Sequence, residues 1–212
     1  PVYLRTHSYY GFLESTLSPE ALVQAAQTHG IKTLGLTDHL YLSGAIEFYE
    51  TCQAADIQPI LGLEIDAKFQ GLSGRLTLLA KDLSGWANLS YLSSYGLTHE
   101  TLIDLEVVFQ HQVGLICLLG GPHGLLRELL ANGQSSQIHQ EDLLSSLREA
   151  FGPDCFIEIQ RYASGPLRNE RSLIQISQDH GIPLVASQNI HYLRKQDRQI
   201  LRTLRAIRKN TT

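Results

Sequence analysis

The stretch LGLTDHLYLSGAIEFYETCQAADIQPILGLEI, residues 34–65, reads as strand, helix, strand. The first apolar run, Thr33–Thr37, leads into Thr37-Asp38-His39, and the second, Pro59–Ile65, carries Gly62-Leu63-Glu64. Neither run alternates polar with apolar residues, the pattern of strands covered on both faces. Five further runs share it: Val2–Thr6, Arg75–Ala80, Val113–Leu119, Cys155–Gln160 and Ile182–Ser187. Strand–helix alternation of this kind predicts a parallel sheet, and seven units favour a barrel over an open sheet.

The helices between the runs carry their own punctuation. Ser18-Pro19-Glu20 supplies an N-cap, a proline at the first helical position and an acid near the positive helix end. That helix stops at His29-Gly30, and the same stop recurs at His180-Gly181. Asp82 can cap a helix whose apolar stripe is Leu83, Trp86, Leu89 and Leu92. Leu143, Leu144 and Leu147 lead to a stop at Gly152-Pro153, and residues 96–112 read as a short helix plus loop. No repeat or linker divides the chain, so a single domain over residues 1–212 is expected.

Hydrophobic residues make up 43% and charged residues 18% of the 212, an ordinary globular balance. No apolar run approaches the ~20 residues a bilayer demands, and no signal-peptide pattern opens the chain. Cys52, Cys117 and Cys155 are too few and too scattered for a disulfide framework or a Cys-rich zinc site, which points to a reducing cytoplasm. A net charge of −4 argues against a surface built wholly as a nucleic-acid clamp. The exception is the C-terminal run Arg194, Lys195, Arg198, Arg202, Arg205, Arg208 and Lys209. Several of these are four apart and share a helical face, with Ile200, Leu201, Leu204 and Ile207 on the other. Such a face is either simply solvated or, through Arg198, Arg202 and Arg205, a contact to DNA phosphates or to a partner.

In parallel α/β folds functional side chains gather at the carboxyl ends of strands. Here those ends carry His7 with Glu14 shortly after, Asp38-His39, Glu64, then Glu158, Gln160 and Arg161, and finally Asn189 and His191. One histidine at a strand end is more often a hydrogen-bonded core residue than a ligand. Histidine and carboxylate from four strand ends converging at one barrel mouth would instead suit Zn²⁺, Mn²⁺ or Fe. His29, His99, His111, His139 and His180 lack that placement and read as surface residues.

Four segments resemble a known family: LRTHSYYGFLESTLSPEALVQAA, the opening stretch above, LTLLAKDLSGWANLSYLSS, and FIEIQR followed by GIPLVASQNIHYL. In order along essentially the whole chain they are similar to the polymerase and histidinol phosphatase (PHP) domain, in the form found at the N-terminus of the alpha subunit of bacterial DNA polymerase III. TDH-x4-GA-x-EFY and the NL…LSS helix mark that polymerase branch. The resemblance implies a distorted (β/α)7 TIM-like barrel with up to three metals at its mouth, phosphoester hydrolysis in active members, and 3′-end proofreading in some.

Residue by residue, the same resemblance implies a degenerate site. Full sites have HxH on the first strand; here Arg5-Thr6-His7 replaces the first histidine with arginine. The acid after that strand is Glu14, one methylene longer than the usual aspartate. His39 and Glu64 are retained. Arg75 stands where a histidine is expected, Gly121 where a ligand is expected, and Asn189 where the last motif has aspartate, while His191 remains. One family site would use Arg5, His7, Glu64 and Asn189, and two of these are altered. A second would use Glu64, Arg75 and Gly121, and two of these are altered. The third, Glu14, His39 and His191, is intact and could hold one Zn²⁺ or Mn²⁺; the expectation is therefore no metal or one. Arg5 and Arg75 are expected to replace metal charge by pairing with Glu64. Two-ion hydrolysis needs ions ~3.5–4 Å apart, so loss of two sites predicts no catalysis.

The implied role is a structural and interaction module of a bacterial replicative polymerase, with the polymerase's remaining domains, the proofreading exonuclease subunit, and DNA through the parent polymerase as partners. The chain ends before any palm domain, so it is expected to be an N-terminal fragment. The competing readings are a residual metal-dependent phosphoesterase or 3′–5′ exonuclease, and a basic-helix DNA binder.

Overall fold

A computed structural model describes residues 2–99, 102–131, 136–162, 165–166, 169–208 and 210. Lys209 of the basic run lies outside them. In chain order the elements are β1 (Val2–Tyr3), β2 (Arg5–Thr6), α1 (Pro19–Thr28), β3 (Thr33–Leu36), α2 (Ala45–Ala54), β4 (Gln58–Phe69), β5 (Leu72–Ala80) and α3 (Leu83–Thr98). There follow β6 (Leu102–Asp104), α4 (Leu105–Gln110), β7 (Leu115–Leu119), α5 (Leu125–Ala131), α6 (Ser136–Phe151), β8 (Cys155–Ile159), β9 (Arg161–Tyr162) and β10 (Gly165–Pro166). The last are α7 (Glu170–His180), β11 (Leu184–Ala186), β12 (Asn189–Ile190) and α8 (Arg198–Arg208). All seven sequence-predicted strands are present. The chain divides into two compact units, Pro1–Leu63 with Gln188–Thr212, and Glu64–Ser187.

In the first unit β1, β3 and the start of β4 pair in parallel, with Val2 opposite Thr33 and Thr33 opposite Gln58. A second parallel pair joins β2 to β12, with Arg5 opposite Asn189. The predicted first strand is thus split at Leu4, and each half has its own partner. Gly35 permits this: a Cβ there would collide with the Leu4 carbonyl. Ser18 Oγ accepts the Ala21 N–H at 3.0 Å and starts α1 as the sequence indicates, and Gly30 ends it at φ +65°. Leu22, Val23 and Ala26 of α1 and Phe48 and Cys52 of α2 form the buried core against Leu34 and Leu36.

In the second unit the strand order is β4, β5, β7, β8, β11, with β6 added to β4. The all-parallel expectation fails at β5, which runs antiparallel to β7, Thr77 opposite Leu118 and Ala80 opposite Leu115. No helix separates β4 from β5. Gln70 and Gly71 alone join them, both at positive φ (47° and 82°), the backbone of a tight hairpin turn. The remaining pairs, β7 with β8 and β8 with β11, are parallel.

Asp82 caps α3 by accepting the Gly85 N–H at 2.9 Å, but Leu83 is 85% exposed. The buried stripe begins a turn later and runs through Leu89 and Leu92. Leu143, Leu144 and Leu147 of α6 are fully buried, and α7 closes on Gly181 at φ +63°. The stretch 96–112 holds the end of α3, then β6 and α4. All three cysteines are buried and free.

Candidate functional site

In the first unit the polar cluster is built from the loops after β2 and β3, from β12 and from α8. Asp38 is buried and accepts both the backbone N–H and the hydroxyl of Ser8, at 2.6 and 2.5 Å. It therefore braces the loop after β2 against the end of β3. His7, fully buried, has Nε2 2.6 Å from Asn189 Oδ1, and its ring stacks on His191 with centroids 4.0 Å apart and planes 3° from parallel. His191 Nδ1 donates to the Glu14 carbonyl oxygen at 2.9 Å, which fixes a proton on that nitrogen.

The Glu14 carboxylate accepts a hydrogen bond from Arg208 Nη1, and Glu14 Oε1 lies 3.7 Å from His39 Nδ1. Arg208 Nη2 is 3.5 Å from the same His39 nitrogen. Arg5 sits on β2, opposite Asn189, and is buried to 1% exposure. Arg198, Arg202 and Arg205 lie on the exposed face of α8. The expected apolar face of that helix is only partly covered: Leu201 is buried, while Ile200 and Ile207 are 53% and 61% exposed.

In the second unit Glu64 is wholly buried on β4, and Arg75 of β5 meets it, Nη1 to Oε2 at 3.1 Å. The same guanidinium reaches Asp66 Oδ1 from Nε at 3.2 Å. Arg75 thus pairs with both acids of β4. Asp66 was missed, although a signal existed: Asp66 and Arg75 are equidistant from the Gln70-Gly71 turn, and such residues face each other across a two-residue hairpin. Glu64, two residues along, shares the face of Asp66. The backbone of Arg75 is tied down as well, its N–H donating to the His123 carbonyl at 2.6 Å. Gly121 lies in the turn before α5, where its carbonyl accepts the Gly124 N–H at 2.8 Å.

Glu158 and Gln160, buried on and after β8, form a network with Ser187 and Tyr162. Gln160 Nε2 donates to Glu158 Oε1 at 2.9 Å and approaches Ser187 Oγ at 3.0 Å, while Tyr162 donates to Gln160 Oε1 at 2.7 Å. Arg161 grips Glu170 with two nitrogens, which raises the Arg161 pKa. Sequence reasoning did not single out Arg127, which is buried on α5 and donates to the Gly120 carbonyl at 2.9 Å. Burial pulls its pKa down, and Glu158 and Glu170 oppose that pull.

The family model of the PHP domain matches residues 3–162. This chain belongs to the PHP domain family. Among similar curated proteins, the DNA polymerase III subunit alpha of Bacillus subtilis is 33% identical over 98% of this chain, and that of Thermus aquaticus is 31% identical over 99%. This PHP domain spans about a fifth of each, 19% in both cases. Solved structures with the same fold include an amidohydrolase from Chromobacterium violaceum with bound sulfate and no metal (TM-score 0.60, 14% identity, 96% of both chains). A candidate metal-dependent phosphoesterase from Bifidobacterium adolescentis also matches at TM-score 0.60, with 14% identity over 90% of this chain and 87% of that one. The fold is thus α/β, of the distorted TIM-like barrel class the sequence predicts.

Metal ions are the cofactors that the PHP fold implies. Among the described residues no group of three or more His, Cys, Asp or Glu is arranged to hold a metal ion. Glu64 carries a guanidinium at hydrogen-bond distance, and so does Glu14. A cation drawn to either carboxylate would meet a fixed positive charge already bonded to it. None of the described helices is long and apolar enough to cross a membrane.

Proposed function

We propose that this PHP domain belongs to the alpha subunit of a bacterial replicative DNA polymerase III and serves it as a structural and interaction module in the cytoplasm, not as a hydrolase. One observation carries the reading. Arg75, at a position where the family has a metal-ligating histidine, neutralises the buried Glu64 directly. A guanidinium supplies charge and hydrogen bonds but no Lewis-acid site and no metal-bound water, so a carboxylate held this way cannot take part in two-ion phosphoester cleavage. The similarity to alpha subunits over nearly the whole chain supports the polymerase context. Partners would be the rest of that polymerase, the proofreading exonuclease subunit, and DNA through the parent enzyme. Ile200 and Ile207, exposed beside Arg198, Arg202 and Arg205, suit such contacts.

The second reading, a residual metal-dependent phosphoesterase or 3′–5′ exonuclease, draws on the retained Glu14, His39 and His191. A 3′-exonuclease assay with and without chelator, combined with metal analysis, separates the two. The module reading expects no chelator-sensitive cleavage. Robust cleavage that chelator stops and His39→Ala abolishes would overturn it.

A further inference from the structure

We propose that Arg208 takes the cation position of the Glu14/His39 cluster and thereby latches the last helix, α8, onto the remaining ligand residues of this PHP domain. This goes beyond the module reading and is tested by metal affinity, not by cleavage, so the two can fail separately.

The sequence places Arg208 among the basic residues of α8, a face read as solvated or as a phosphate contact. The structure removes it from that set. Its Nη1 bonds the Glu14 carboxylate and its Nη2 approaches His39 Nδ1 at 3.5 Å, while Glu14 Oε1 and His39 Nδ1 are 3.7 Å apart. Three groups from widely separated parts of the chain therefore converge. The Glu14 and His39 side chains are 8% and 6% exposed, whereas that of Arg208 is 38% exposed. The arginine reaches from the surface, along its aliphatic stem, to a buried acid.

The planar guanidinium has several N–H donors in one fork, so a single side chain can serve the carboxylate and the imidazole together. A divalent ion that used Glu14 and His39 as ligands would have to displace that fork, because like charges at this distance repel. The contact joins residues 194 apart in sequence, so it also ties the end of the chain to the loop after β2. Loss of the latch has two consequences: a cluster able to attract a metal, and a looser α8.

The test uses the 212-residue chain after chelator treatment. Binding of Mn²⁺ and of Zn²⁺ is measured by calorimetry for the unaltered chain, for Arg208→Gln and for Arg208→Gln combined with His39→Ala. Arg208→Gln should bind at least one of the two ions about tenfold more tightly than the unaltered chain, and adding His39→Ala should abolish the gain. Hydrogen exchange supplies a second measurement: the α8 amides should exchange faster in Arg208→Gln but not in Arg202→Gln. The proposal is overturned if the unaltered chain binds one ion as tightly as Arg208→Gln does. Equal α8 exchange in the two single variants would overturn the latch.

Discussion

The two units of this PHP domain meet the same difficulty, a buried carboxylate, in different ways. In the second unit Glu64 is answered by Arg75, 11 residues away on the adjoining strand of one hairpin. In the first unit Glu14 is answered by Arg208, 194 residues away on the last helix. The first pairing is secured by backbone register: once the Gln70-Gly71 turn closes, Arg75 faces Asp66 and reaches Glu64. The second depends on a single long side chain, more exposed than that of Arg75 (38% against 20%), being held in place by tertiary packing. A local answer is obligatory; a distant one is conditional.

The contrast is broken most directly at Arg75. Arg75→Ala takes a charged partner from the buried Glu64, and should cost about 3–5 kcal/mol in urea unfolding. Replacing both members by Glu64→Gln with Arg75→Met should recover most of that loss, because the buried carboxylate goes together with its partner. If the single variant costs less than about 1 kcal/mol, the hairpin pair is not the obligatory one.

Asp38→Ala in the first unit comes next. It leaves the Ser8 N–H and hydroxyl without their buried acceptor, and about 2–3 kcal/mol should disappear from the same measurement. Arg208→Gln should cost about 1–2 kcal/mol, less than Arg75→Ala because the Arg208 side chain is itself 38% exposed, and that cost should shrink as salt is raised from 0.05 to about 0.5 M. A larger, salt-insensitive cost would place Arg208 in the same class as Arg75.

The smallest difference is expected in the thiols. Burial pushes both Cys52 in the first unit and Cys155 in the second up to about 12. Both should resist alkylation at pH 8 at similar rates. The sign of the linkage follows: the unfolded thiols ionise near pH ~8.5 and the native ones do not, so stability is complete below that value and declines as pH rises toward 12. Urea midpoints at pH 8, 9 and 10 should fall in that order.

What could be read from sequence was what is decided nearby. The Ser18 cap, the Gly30 and Gly181 stops and the Asp82 cap each depend on a few consecutive residues, and each is found as expected. Arg75 could be foreseen as the partner of Glu64 because the family resemblance put both at one site. The antiparallel β5 was missed, although Gln70-Gly71 leaves no room for a crossover helix; the apolar run after it looks like any other buried strand. Leu83 has the right spacing for the apolar stripe of α3 but stands at the first helical position, ahead of the packed face. Arg208 was hidden for a different reason. Its spacing is that of the other α8 arginines, and only the tertiary structure shows which of them Glu14 attracts.

The Gln70-Gly71 turn has a consequence for how the protein is made. Residues 58–80 form one uninterrupted hairpin, so its contacts span little sequence and closure takes on the order of 1–10 μs, far less than the time in which a ribosome adds the next amino acid. Glu64 can therefore meet its guanidinium without waiting for β7 or β8 to pack against the hairpin. The acid that would most resist burial can enter the nascent core already neutralised.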